Sequence, residues 1–103
     1  MKNITRVICG MIGHWSRQGF SPISINSGSC SSFAKRLEQI FPDGQAIWGN
    51  HCAHSFKSNV ETEGHCFFYY KQKYYDAESP KGEIFPDDLQ YYRRAKKYFR
   101  KTA

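Results

Sequence analysis

A thiol, an imidazole and a carboxylate, the three groups that together pass an acyl group through sulfur, stand in this chain in the order Cys30, His65 and Asp76. Cys30 follows Gly28 and Ser29 and precedes Phe33, Ala34, Leu37, Ile40 and Phe41, apolar residues at helical spacing. With Ser29 as N-cap, Cys30 takes the first helical position. There the unpaired backbone N–H groups and the positive end of the helix dipole favour a thiolate. The competing reading is a buried, inert cysteine.

His65 and Asp76 flank a hairpin. The aromatic run His65-Cys66-Phe67-Phe68-Tyr69-Tyr70, the polar Lys71-Gln72-Lys73 and the run Tyr74-Tyr75-Asp76-Ala77 read as two antiparallel strands and their turn. Strand side chains alternate, so only an even-length loop puts His65 and Asp76 on one face. With Lys71 and Gln72 as the loop, Phe67 pairs with Asp76 and His65 becomes its diagonal neighbour, about 7–8 Å away at Cβ. The same register sets Glu78 directly across from His65, so Glu78 is the alternative orienting acid.

The remaining elements must bring these groups together. Ile4, Val7, Ile8, Met11, Ile12 and Trp15 form one stripe, which predicts an amphipathic helix over Asn3–Arg17. A signal peptide is the rival there, but the apolar run is short and has no small-x-small cleavage site. Gln18–Gly28 reads as an ordered loop. The Cys30 helix stops at Pro42-Asp43-Gly44, and Ala46-Ile47-Trp48 is a short strand. Gly49–Gly64 is irregular, Glu78–Gly82 is a turn, and Pro86-Asp87-Asp88 opens a last helix whose inner face carries Leu89, Tyr92 and Phe99. The expected fold is α+β: an N-terminal helix, a thiol-bearing helix packed on a small antiparallel sheet with a central hairpin, and a basic C-terminal helix.

At 103 residues the chain has room for one modest core, and its 17% aromatic share lets few side chains bury much area. Of 15 Lys and Arg, six (Arg93, Arg94, Lys96, Lys97, Arg100 and Lys101) lie in the last eleven positions; the others balance the 9 acids. The pI near 9.3 is thus a property of the tail. Four cysteines, with no dense disulfide spacing and no convincing secretory signal, point to reduced thiols and a cytoplasmic setting. No stretch is apolar and long enough to cross a membrane.

The segments Gly28-Ser29-Cys30-Ser31-Ser32-Phe33-Ala34, Gly64-His65-Cys66-Phe67 and Lys73-Tyr74-Tyr75-Asp76-Ala77 span half of the chain. In type, order and spacing they resemble the papain-like cysteine hydrolases, above all small NlpC-type peptidases, transglutaminase-like proteins and compact domains of bacteria and phages. The resemblance implies one papain-like domain over residues 1–103. Cys30 is then the nucleophile, His65 the base and Asp76 its orienting group, acting on a peptide or amide substrate through a thioester and with no cofactor. It carries over no second oxyanion donor to join the Cys30 backbone N–H; Asn26 is the nearest candidate amide and Gln18 the next. Gln72 departs from the glycine expected in such a turn. Water as acceptor gives an amidase or peptidase; an amine gives a transferase.

Two other readings stand beside this one. His51, Cys52, His54, His65 and Cys66 are zinc-type donors, but their spacing is not that of paired knuckles, and no metal is expected. In the tail, Tyr91, Tyr92, Tyr98 and Phe99 interleave with the six cations, a composition suited to contact with nucleic acid or an acidic protein. Its plainer reading is a solvated basic helix with aromatics turned inward.

Overall fold

A computed structural model describes residues 2–48 and 65–94. Helix α1 (Ile4–Ser16) starts where the Asn3 side chain accepts the Arg6 N–H at 3.1 Å, and it ends at Arg17, as its stripe predicts. Helix α2 (Pro22–Gly28) replaces the expected loop. The cause is local: Ser21 and Ser24 form a reciprocal capping box, and Pro22 occupies the first turn, where its missing N–H costs nothing. Helix α3 (Cys30–Ile40) follows almost without interruption.

The sheet is an antiparallel meander of β1 (Gln45–Trp48), β2 (Cys66–Tyr70), β3 (Lys73–Asp76) and β4 (Ser79–Glu83), in that spatial order. Tyr70 pairs with Lys73 and Phe68 with Tyr75, so the β2–β3 loop is Lys71-Gln72, the even length that the chemistry requires. Both loop residues have positive φ, 49° and 67°, as a tight primed hairpin turn demands.

Strand β4 occupies the stretch expected to be a turn. The chain instead reverses at Ala77-Glu78, where Asp76 Oδ1 accepts the Glu78 N–H at 2.9 Å, and returns along β3. Pro80 is tolerated because β4 is an edge strand. Gly82, at φ 81°, passes over the Tyr75 ring so closely that a Cβ would lie 2.7 Å from it.

Alternation divides the sheet into two faces. On one, Phe68, Tyr75 and Ala77 pack against Ile8 of α1, Ile25 of α2, and Phe33 and Leu37 of α3. On the other, Phe67 packs against Leu89 and Tyr92. Full burial of side chains such as Phe67, Phe68, Ile8 and Leu37 is worth about 1.5–3 kcal/mol each. The last helix begins later than expected: Pro86–Asp88 form a single 3-10 turn, Leu89 is extended, and α4 (90–94) follows. The architecture is therefore α+β, helices on one face of the sheet and the C-terminal segment on the other. Among the described residues no helix is long and apolar enough to cross a membrane.

Candidate active site

Cys30 is the first residue of α3, and its sulfur is buried at the start of β2. Ser29 holds the N-cap position but makes no side-chain capping bond. The Cys66 backbone N–H donates to the Cys30 sulfur at 3.3 Å. That bond ties the thiol to the strand whose preceding residue is His65.

His65 is fully buried, and its Nε2 lies 3.0 Å from Asp76 Oδ2. Asp76 is nearly as buried, at 2% exposed, and its other oxygen is held by the Glu78 N–H. The hairpin register thus delivers the diagonal neighbours it implied. Nδ1, on the other side of the ring, is buried and has no conventional hydrogen bond among the described residues. The group that acts on the ring besides Asp76 is the Cys30 thiol.

The electrostatics favour a thiolate–imidazolium pair. Burial pushes the Cys30 thiol up, but the His65 side chain, the Cys66 and Ser31 backbone N–H groups and the imidazolium charge outweigh it, so the thiol titrates below its ordinary 9.0. Burial pushes His65 down, yet Asp76 and Cys30 raise it above its ordinary 6.5. Cys66 goes the other way, to about 11, driven by burial and by the neighbouring Cys30 charge. One thiol is activated and its neighbour is suppressed.

Glu78 does not reach His65. Strand β3 ends before it, and in the following turn its carboxylate accepts from Asn26 Nδ2 at 2.9 Å and pairs with Arg94. Asp76, not Glu78, is the carboxylate bonded to the His65 ring. Asn26 is buried on α2, its amide held by that carboxylate. Gln18 is exposed beyond the end of α1, where its side-chain amide bonds His14 at 3.1 Å.

Tyr91 carries a role that its sequence position does not reveal. Its ring lies on the His65 imidazole, and the Arg94 guanidinium lies 5.6 Å from the centre of its ring. Burial and the Cys30 charge raise the Tyr91 phenol above its ordinary 10.0. Tyr92 is fully buried against Phe67, so both tyrosines turn inward and neither is presented for stacking on a base. Only a long-range stack marks Tyr91, and no local pattern encodes that.

Arg93 is exposed beside Asp88, at 3.9 Å. Lys96, Lys97, Arg100 and Lys101 lie outside the described residues, as do His51, Cys52 and His54 of the zinc reading. Among the described residues, no three His, Cys, Asp or Glu side chains form a group that could hold a metal ion. Searched against models of protein families, curated proteins and solved structures, the chain matches none.

Proposed function

We propose that this chain is a cysteine-dependent acyl-transfer enzyme of papain-like type, an amidase or peptidase, with Cys30 as nucleophile, His65 as acid–base and Asp76 as the group that orients it. The observation that carries this reading is the 3.0 Å bond between His65 Nε2 and Asp76 Oδ2, which leaves Nδ1 to the Cys30 sulfur.

His65, its proton affinity raised by Asp76, takes the thiol proton of Cys30. The thiolate attacks the carbonyl carbon of an amide, and the positive start of α3 faces the oxygen as it gains charge. His65 returns the proton to the leaving amine, and a thioester remains on Cys30. His65 then takes a proton from water, which attacks the thioester and releases the acid. An amine entering in place of water gives transfer. A reducing, cytoplasmic setting suits a thiol that must stay unoxidised, and Cys9, Cys30 and Cys66 are thiols in the structure.

The test is selective alkylation. At pH near 6, iodoacetamide labels Cys30 faster than Cys9, Cys52 or Cys66. In His65→Ala the midpoint of Cys30 labelling moves up toward the ordinary thiol value or beyond it, because the burial that opposes ionisation remains while its largest counterweight is gone. Uniform labelling of the four thiols in the wild-type chain would overturn the proposal.

A further inference from the structure

From the placement of Cys66 beside the nucleophile we infer that Cys30 and Cys66 form an oxidative modification site, at which a peroxide converts the pair to an intramolecular disulfide and so switches the thiol off reversibly. The inference rests on the activated Cys30 thiolate of the proposed function, and not on its acyl chemistry.

The geometry comes first. Cys30, Ala34 and Cys66 pack together in one buried cluster, with Ala46 against it. The Cys66 nitrogen is 3.3 Å from the Cys30 sulfur, and the Cys66 Cα is one bond of about 1.46 Å beyond that nitrogen. The two cysteines are thus packed neighbours, and a disulfide between them requires Cα atoms about 4.4–6.8 Å apart. The alternation of β2 adds the second half. His65 lies toward the face covered by Tyr91 and Tyr92, whereas Cys66 points to the helix face, toward Ala34. The nucleophile therefore has its base on one side and a second thiol on the other.

The chemistry balances in two steps. The Cys30 thiolate attacks one oxygen of the peroxide, the O–O bond breaks, and a proton from the His65 imidazolium leaves with the other oxygen as water or alcohol. Sulfur is oxidised by two electrons to a sulfenic acid and the peroxide is reduced by two. The Cys66 sulfur then attacks the Cys30 sulfur, the S–OH bond breaks, and the thiol proton leaves with hydroxide as water. The product is a disulfide, and neither cysteine is lost to sulfinic acid. Cys66 is poised for the second step and not the first. Burial first and the Cys30 charge second raise the Cys66 thiol, and the second of these disappears once Cys30 becomes the sulfenic acid.

The test uses the full chain with Cys9→Ser and Cys52→Ser, which leaves only the two thiols in question. Treated with hydrogen peroxide at pH 7 and digested without reductant, it is expected to yield the peptides of residues 30 and 66 joined, at the mass of a disulfide. Iodoacetamide labelling of Cys30 falls at least tenfold and returns with dithiothreitol. In an added Cys66→Ala variant, dimedone traps Cys30 as a sulfenic acid, and excess peroxide takes it to a sulfinic acid that dithiothreitol does not restore. Unjoined peptides after peroxide treatment, whether Cys30 is dimedone-labelled, sulfinic or unreacted, overturn the inference. Should Cys66→Ala fail to fold, the peptide map of the chain that retains Cys66 decides alone. A chain that forms the disulfide but turns over no acyl donor loses the proposed function and keeps this site. One that turns over an acyl donor but oxidises irreversibly does the reverse.

Discussion

His65 and Tyr91 lie ring on ring, their centroids 3.8 Å apart and their planes 12° from parallel. Asp76 already holds one edge of the imidazole, so the stack fixes the one freedom left to it, rotation about that hydrogen bond. In the proposed mechanism the base depends on that restriction, since small misplacements of a catalytic group cost large factors in rate. The C-terminal segment, which composition marks only as basic, thus supplies a wall of the site.

Replacing Tyr91 separates the ring from its hydroxyl. Tyr91→Phe keeps the stack and is expected to keep kcat within about twofold. Tyr91→Ala loses an aromatic pair worth about 0.5–1.5 kcal/mol, which corresponds to as much as a tenfold fall in kcat. It also admits water to the imidazole and weakens the burial that lowers its pKa, so the His65 titration moves further up. NMR titration of the His65 ring in the two variants checks this; an unmoved titration in Tyr91→Ala would mean that the stack does not shield the imidazole.

Asp76→Asn removes the carboxylate charge while keeping a side chain of the same shape. The carboxylate charge that helps raise His65 is lost while its burial remains, so the imidazole binds its proton less tightly and supports the Cys30 thiolate less. The expected fall in kcat is about 10²–10⁴-fold, the range that positioned acid–base catalysis contributes. Stability follows the same sign. In the wild-type chain His65 holds its proton above its ordinary 6.5, a contribution complete below about pH 6.5 and lost as pH rises through the raised value. Urea denaturation should therefore show the largest gap between wild type and Asp76→Asn near pH 5–6, shrinking above neutrality.

The clamp of Asn26, Glu78 and Arg94 gives a third expectation. Glu78→Gln keeps an acceptor for the Asn26 amide and loses only the charge facing Arg94. Because Arg94 is 40% exposed, that loss is at most about 1 kcal/mol. Glu78→Ala also strands the buried Asn26 amide, a further cost of about 1–3 kcal/mol. Thermal and urea unfolding of the two variants resolves the difference, and equal losses would mean that Asn26 finds another partner.

Much of the site was legible in the sequence wherever the controlling rule was local or periodic. The stripe from Ile4 to Trp15 defines α1, and strand alternation with a two-residue loop suffices to bring Asp76 to His65. Where the fold departs from the sequence pattern, one local signal is outweighed by another nearby. Ser21-Pro22 looked like loop chemistry, yet with Ser24 it builds a capping box. Pro80 and Gly82 looked like a turn, yet an edge strand accommodates both. Glu78 was set opposite His65 by extending β3, which the Asp76 side chain stops by accepting the Glu78 N–H. The stack of Tyr91 on His65 has no sequence period, because it joins two segments far apart in the chain on one face of the sheet.

The turn that fixes the register offers the last prediction. Lys71 and Gln72 both adopt left-handed backbone conformations, which cost an ordinary L-residue about 1–2 kcal/mol relative to the right-handed region. Glycine adopts them without that penalty, although it gives up more chain entropy on folding. Gln72 is exposed, so Gln72→Gly removes little packing. The balance favours the variant by roughly 0.5–1 kcal/mol, with a midpoint of thermal unfolding several degrees higher for a domain of this size. Because the strands stay in register, the His65–Asp76 bond and the rate of Cys30 alkylation should be unchanged. A Gln72→Gly chain that is less stable, or whose Cys30 loses its low-pH reactivity, would show that the hairpin does not turn at Lys71-Gln72 and that His65 and Asp76 do not share a face.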